Sequence, residues 1–130
     1  MLFRSRQSYN NTASRAFPIN KYPEFPRQLR QIPGEVSSEM WVRVTAENGE
    51  WGLGQCHWGN LVAPLVTDHF APLLTGRDCL AIEYLNDLMW RSTLRFGAVG
   101  LPSVARSAID LALWDLKGKL LKLPDRKAHV

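Results

Sequence analysis

Apolar and polar residues alternate strictly between Met40 and Thr45. Met40, Val42 and Val44 fall on one side, Trp41, Arg43 and Thr45 on the other. Period two with β-branched residues predicts a strand. Glu47-Asn48-Gly49-Glu50 follows, and Asn-Gly readily takes positive φ and closes a tight hairpin. Trp51–Cys56 is the expected return strand, in which Gly52 and Gly54 let another element approach closely. The period then changes to that of a helix. Asn60 is a good N-cap for a helix over Leu61–Leu74, with Val62, Val66, Phe70 and Leu73 on one face. Pro64 falls in its first turn, Pro72 is expected to kink or close its end, and Gly76 suits the stop. Asp78 is expected to cap a second helix, Cys79–Thr93. Ala81, Ile82, Leu85, Leu88 and Met89 share one arc there, opposite a solvated stripe of Glu83, Asp87 and Arg91. Asp87 and Arg91 have i,i+4 spacing and suit a weak pair.

Residues 94–101 read as a glycine-containing connection. Pro102 then opens a third helix that runs to about Leu121, with Pro124 beyond it. Its apolar residues, from Val104 to Leu120, spread far wider than one stripe, and Trp114 and Leu121 lie outside even that arc. Such a helix expects neighbours on two sides, its own domain and a second domain or subunit. Asp115 projects into the apolar arc, where a carboxylate must be paired. Lys119, four residues on, has the favourable orientation. A structural ion pair at a domain junction is the plainer reading, a catalytic or metal carboxylate the sharper one.

The flanks differ from this body. Residues 17–34 contain four prolines and one glycine, a density that forbids a regular helix or central strand and predicts a long loop. Phe17, Tyr22 and Phe25 give that loop something to pack. Residues 1–16 hold Arg4, Arg6 and Arg15 and no acid, which fits a disordered tail and a mitochondrial transit peptide alike. The expected organisation is a tail over 1–16, one folded domain over 17–124 and an atypical tail over 125–130.

At 130 residues, 45% of them hydrophobic and 22% charged, the composition excludes a disordered chain, a collagen-like repeat and a disulfide-rich mini-protein. The chain is far short of the roughly 250 residues of a (β/α)₈ barrel, and no apolar run approaches the ~20 residues of a membrane span. The formal charge is +4, but the basic residues gather at the two ends and residues 35–116 are acidic. A nucleic-acid surface would need a basic face on the folded elements, so no nucleic-acid or membrane partner is expected. Cys56 and Cys79 stand alone, which leaves a disulfide between them and, as the plainer reading, two reduced thiols in a cytoplasmic protein, with a mitochondrial address as the alternative.

The chemistry of an autonomous active site is missing from the pattern. His57, His69 and His129 make no metal-ligand spacing. Gly49–Gly54 is too short for a phosphate loop and sits in a hairpin. No carboxylate cluster suits Mg²⁺, and no Ser or Cys has an activating neighbour. No catalytic and no metal-binding residue is therefore assigned.

The segment AIDLALWDLKGK (Ala108–Lys119) resembles a hallmark of the mandelate racemase/muconate lactonizing enzyme family, within the enolase superfamily. VRVTAENGEWGLGQ (Val42–Gln55) resembles that family's hairpin, and HFAPLLTGRD (His69–Asp78) its helix–turn. FPINKYPEF (Phe17–Phe25) and the ENGEWG hairpin are most similar to the sugar-acid, rhamnonate-type dehydratase branch. The resemblance implies an α+β fold: a small antiparallel sheet (hairpin 40–56) followed by a three-helix bundle, an enolase-type N-terminal capping domain without its barrel. In the family that domain closes the mouth of a (β/α)₇β barrel, which supplies the Mg²⁺ ligands and the bases that abstract the proton α to a carboxylate. A dehydratase then loses the β-hydroxyl as water.

The resemblance implies no cofactor bound by this chain and Mg²⁺ in the full-length family. The implied partners are a C-terminal barrel, in cis or in trans, and a sugar-acid substrate, with self-association through an uncovered interface. The ending Asp125–Val130 departs from the family and reads as a truncation, a splice form or a misread gene end. The implied substrate-facing residues are Lys21, Arg27 and Arg30 in the first loop and His57 and Trp58 in the second. Trp114, Asp115 and Lys119 are expected at a domain interface, and His69 to be structural. The competing reading is a non-enzymatic interaction domain that uses the surface around Trp114.

Overall fold

The computed structural model describes residues 18–23 and 39–122. The chain divides into two compact units, Met1–Glu35 and Val36–Val130. In the first, Pro18–Lys21 forms a single 3-10 turn where the prolines predicted irregular loop throughout. Proline fixes φ near its helical value and has no N–H to leave unbonded in a first turn, so one such turn is compatible with it. Arg27, Arg30 and the expected tails over 1–16 and 125–130 lie outside the described residues.

In the second unit β1 (Met40–Thr45) pairs antiparallel with β2 (Trp51–Cys56), with Met40 opposite Cys56 and Thr45 opposite Trp51. The turn between them is wider than Asn-Gly alone predicts. Gly49 N–H bonds Ala46 O at 3.0 Å, and Ala46 N–H bonds Glu50 O at 2.8 Å. Gly49 has a φ of 88° and Asn48 does not join it in positive φ. Asn48 instead lends Oδ1 to the Glu50 N–H at 3.1 Å. This is the arrangement of a three-residue hairpin loop with glycine at the left-handed position.

One face of the hairpin carries Met40, Val42 and Val44 opposite Cys56, Gly54 and Gly52. The long helix α4 (Leu101–Leu120) lies on that face. A Cβ on Gly54 would collide with the Ala108 carbonyl, and one on Gly52 with the Ala112 carbonyl and Leu116 N. Ala108, Ala112 and Leu116 are themselves fully buried. Helix and strand meet backbone to backbone because two glycines and two alanines remove the side chains that would hold them apart.

A helical run follows β2 in three pieces: α1 (Gly59–Pro64), a π-helical segment (Leu65–Phe70) and α2 (Ala71–Leu74). Asn60 is not its N-cap. Trp58 holds that position, in the left-handed region at φ 59°, ψ 39°, so the helix begins earlier than expected. The π segment precedes Pro72, which has no N–H to return to the preceding turn. Ala71 N–H reaches back five residues to Val66 O, and the Thr67 hydroxyl donates to Ala63 O at 3.1 Å. Eight residues overshoot two α-turns of 3.6, and the wider π-turns absorb the surplus. Val62 and Phe70, eight apart, are both 0% exposed.

The next helix, α3 (Ile82–Thr93), starts later than the Cys79 expected from Asp78. Asp78 Oδ1 accepts the Leu80 N–H at 2.9 Å and its carbonyl accepts the Ala81 N–H at 3.2 Å, which closes a separate turn first. Ile82, Leu85 and Met89 are buried and Glu83, Asp87 and Arg91 exposed, as the periodicity predicts. Arg91 Nε meets Asp87 Oδ2 at 2.7 Å. Thr93 is buried, but its hydroxyl donates to Trp90 O at 2.8 Å. Gly100, at φ 76°, turns the chain into α4. The core lies between sheet and helices, around Val62, Phe70, Leu85, Met89, Ile109 and Leu113. Cys56 and Cys79 are free thiols, the first buried. Burial pushes the Cys56 thiol up, which makes it a small apolar filler rather than a nucleophile.

Candidate functional site

His57 and Trp58 form the junction from β2 to α1, and both are exposed. Their rings meet edge to face at 6.3 Å and 73°. The left-handed backbone of Trp58 is uncommon for a bulky side chain and costs roughly 1–2 kcal/mol. Such strain persists where the surroundings impose it, and it collects at functional loops. Gly59, next in sequence, is buried, so the chain turns inward directly after Trp58 and leaves the two rings outside. No periodicity signal marks this left-handed residue. Lys21, also exposed, belongs to the first unit.

Asp115 and Lys119 were expected at an interface with another domain, together with Trp114. The structure separates them. Asp115 and Lys119 face the protein's own hairpin, while Trp114 is half-exposed. Asp115 Oδ2 accepts the Leu53 N–H at 2.8 Å and Lys119 Nζ at 2.8 Å. Lys119 Nζ also donates to Trp51 O at 2.9 Å and stands 4.2 Å from the centre of the Trp51 ring. Arg43 lies 5.1 Å from that ring's centre. The helix therefore supplies an acceptor and a donor to β2, as a third strand would, and covers its outer edge.

Burial is the largest single influence on Asp115 and opposes its charge. Hydrogen bonds from Lys119 and Leu53, with the charge of Lys119, outweigh it and hold the carboxyl below its ordinary value of 3.8. This is the profile of a structural ion pair. Among the described residues no three His, Cys, Asp or Glu side chains group to hold a metal ion.

His69 is half-buried and tied to α3 through Nε2 and Ser92 Oγ at 3.0 Å. Its ring packs edge to face on Phe70 and Phe96, at 5.1 and 5.4 Å. A groove of about 560 Å³ runs between α3 and α4, with Glu83, Asp87, Trp90, Asp110 and Trp114 in its walls. Asn86 Nδ2 donates to Asp110 Oδ1 at 2.8 Å on its floor. Trp90 on α3 and Trp114 on α4, each outside its helix's apolar arc, are the sequence features that point to this groove.

A hairpin laid on a long helix, with a helical bundle beyond it and an exposed loop at the strand–helix junction, defines an α+β capping module. The chain belongs to the mandelate racemase/muconate lactonizing enzyme family: residues 24–126 match its N-terminal domain. It is 40% identical over 110 residues to the L-rhamnonate dehydratase of Saccharopolyspora erythraea, covering 84% of this chain and 28% of that protein. The crystal structure of rhamnonate dehydratase from Gibberella zeae complexed with Mg superposes with a TM-score of 0.63 at 35% identity, over 65% of this chain and 21% of that one. A mandelate racemase/muconate lactonizing enzyme-like protein from Rubrobacter xylanophilus gives a TM-score of 0.65 at 32% identity, over 71% and 25%. The chain spans about a quarter of the length of the curated relatives it matches.

Proposed function

We propose that this chain is the capping, substrate-selecting domain of a magnesium-dependent sugar-acid dehydratase of the rhamnonate type. It works with a barrel supplied in cis or in trans. The observation that carries this reading is the 40% identity to an L-rhamnonate dehydratase over 84% of the chain. The match of residues 24–126 to the family's N-terminal domain supports it. The reaction is removal of the proton α to the carboxylate, then loss of the β-hydroxyl as water. Magnesium, where bound, supplies Lewis-acid stabilisation of the developing charge. No three His, Cys, Asp or Glu side chains group among the described residues, and the share of the chemistry this reading gives the chain is binding and enclosure. His57 offers a hydrogen-bonding ring and Trp58 an apolar wall at the rim of the active site. Lys21, Arg27 and Arg30 offer cations suited to a carboxylate or to hydroxyls. Enclosure of this kind excludes water and fixes the substrate's orientation.

The test is a chimera in which residues 17–124 replace the N-terminal domain of the Saccharopolyspora erythraea enzyme. Dehydration of L-rhamnonate by the chimera is expected, with His57→Ala raising KM several-fold. A soluble, folded chimera that leaves L-rhamnonate and other sugar acids untouched would overturn the reading. Assembly in trans predicts that the separate barrel and this chain co-elute and regain activity on mixing.

A further inference from the structure

The two edges of the hairpin differ. In an antiparallel pair the residues that exchange backbone bonds recur at every second position. Ala46 N–H bonds Glu50 O, so the bonded pairs of the same register are Val44–Gly52, Val42–Gly54 and Met40–Cys56. The residues between them turn N–H and C=O away from the hairpin. On β2 these include Trp51 and Leu53, and α4 meets both: Lys119 Nζ donates to Trp51 O, and Asp115 Oδ2 accepts the Leu53 N–H. On β1 they are Trp41, Arg43 and Thr45. No described residue bonds their backbone groups.

An open edge ordinarily carries a device against pairing, such as a proline, a bulge or a lysine. β1 has none. Its six residues, MWVRVT, hold no proline or glycine, and the register runs from Met40 to Thr45 without a skipped residue. Its one charged side chain, Arg43, leans back on the hairpin, 5.1 Å from the centre of the Trp51 ring. Trp41, on the same outer face of the sheet, is 59% exposed. Met40 and Val44, on the inner face, are only partly buried. A second copy of β1 fits this edge antiparallel in one register. Edge-facing residues bond only edge-facing residues, so the two-fold axis falls at a residue, not between two. Centred on Arg43, it sets one guanidinium stem against the other, like charges directly opposite. Centred on Val42, it sets Trp41 opposite Arg43 of the second copy, twice, and the indole meets the cation on the side away from Trp51. The inner face then matches Val42 with Val42 and Met40 with Val44. Centres nearer either end overlap at most three residues of the strand.

We propose that β1 is the pairing edge of a homodimer, a four-stranded antiparallel sheet in the order β2–β1–β1–β2 with its two-fold axis at Val42. The proposal stands on this chain's own hairpin and does not depend on the proposed dehydratase role. Because α4 lies along the far edge, at β2, the two long helices stand apart on one face of the joined sheet. One strand pair covers far less than the roughly 1,600 Å² of a standard complex, so a dissociation constant of about 100 μM is expected.

Sedimentation of the full 130-residue chain across a concentration series gives the first reading, a reversible dimer that dominates at about 1 mM. Trp41→Lys sets a lysine opposite Arg43 and is expected to weaken the dimer roughly tenfold or more, with the circular dichroism spectrum unchanged because the side chain is exposed. Arg43→Glu, which removes the cation, weakens it as well. Mixing the two variants restores association, since only the Val42 register sets position 41 against position 43. Hydrogen exchange gives the second reading. The Trp41 and Arg43 amides should exchange several-fold more slowly at about 1 mM than at about 10 μM, whereas the Val42 amide, bonded within the hairpin, stays slow at both. A chain monomeric at about 1 mM overturns the proposal; protected Trp41 and Arg43 amides in that monomer would assign the edge to another segment of the same chain. A dimer indifferent to Trp41→Lys overturns it too, and so does a mixture of the two variants that associates no better than either alone.

Discussion

Gly54 meets the Ala108 carbonyl where no Cβ has room, so the smallest substitution is the most informative. Gly54→Ala must push strand and helix apart, and a backbone atom cannot rotate out of the way as a side chain would. A loss of about 2–3 kcal/mol in urea unfolding is expected, the upper range of overpacking. Gly118→Ala should act in the opposite sense, because its Cβ enters open space. It should stabilise the chain by about 0.5–1 kcal/mol, the helix-propensity difference between the two residues. Asp115 adds a pH dependence. Its carboxyl is held below 3.8 in the folded chain, so the unfolded chain takes up the proton first as the medium is acidified. The stabilisation is therefore fully present above the ordinary carboxylate range and is lost as pH falls through the folded value. Both side chains of the ion pair are 39% exposed, and solvent screening keeps the effect small. Asp115→Asn, which keeps an acceptor for Leu53, should cost about 1 kcal/mol near neutrality. Unfolding curves of the two proteins should converge as pH drops below 3.8; a difference unchanged at low pH would refute the ionic account.

Elements whose burial follows one period were legible in the sequence, because burial alone sets the pattern. β1 alternates as its residues predict, and α3 buries Ile82, Leu85 and Met89 at i, i+3 and i+7. Element starts were less legible, since they depend on competition between nearby donors. Asp78 spends its carboxylate on Leu80 and closes a turn, and Trp58 rather than Asn60 opens α1. The π segment was not legible at all. Pro72 predicts a disturbance, but whether the helix breaks or widens depends on where Phe70 must point to reach the core. Phe70 is 0% exposed, and Phe70→Ala should cost about 3–5 kcal/mol, enough to unfold much of a small domain. Of the expected site residues, His57 and Trp58 are exposed at a strained turn, and Asp115 and Lys119 are bonded to the protein's own hairpin. The 100° step between neighbours put Asp115 within the apolar arc of α4 and Trp114 outside it, a division the structure keeps, but periodicity does not say which neighbour each residue meets. At His69, the Ser92 hydroxyl lies 2.7 Å from Met89 O as donor, an arrangement in which the His69–Ser92 hydrogen bond takes its proton from Nε2. Nitrogen chemical shifts should report Nε2–H; an Nδ1–H ring would mean the bond is not formed in solution.

For the whole molecule, the division of labour between lid and barrel is open to a metal titration. The described residues group no three metal-binding side chains, and three of the carboxylates on α3 and α4 are committed elsewhere. Asp115 serves Lys119 and Leu53, Asp87 serves Arg91, and Asp110 serves Asn86. A hard divalent cation demands several oxygen ligands converging at about 2.0–2.1 Å, and recruiting them would mean dismantling the edge cover of β2 and the floor of the α3–α4 groove. Millimolar Mg²⁺ should therefore leave the melting temperature of the isolated chain unchanged, since a ligand stabilises only by binding the native state. Calorimetry should find no site tighter than about millimolar, which corresponds to roughly 4 kcal/mol of binding energy. In the chimera with the Saccharopolyspora erythraea barrel, turnover of L-rhamnonate should vanish with a chelator and return with Mg²⁺, while the His57→Ala effect on KM persists at saturating metal. The proposed function has the lid hold the substrate and the barrel the ion, and on that reading the two responses separate. Tight Mg²⁺ binding by the 130-residue chain alone would place the ion within the lid and end that division.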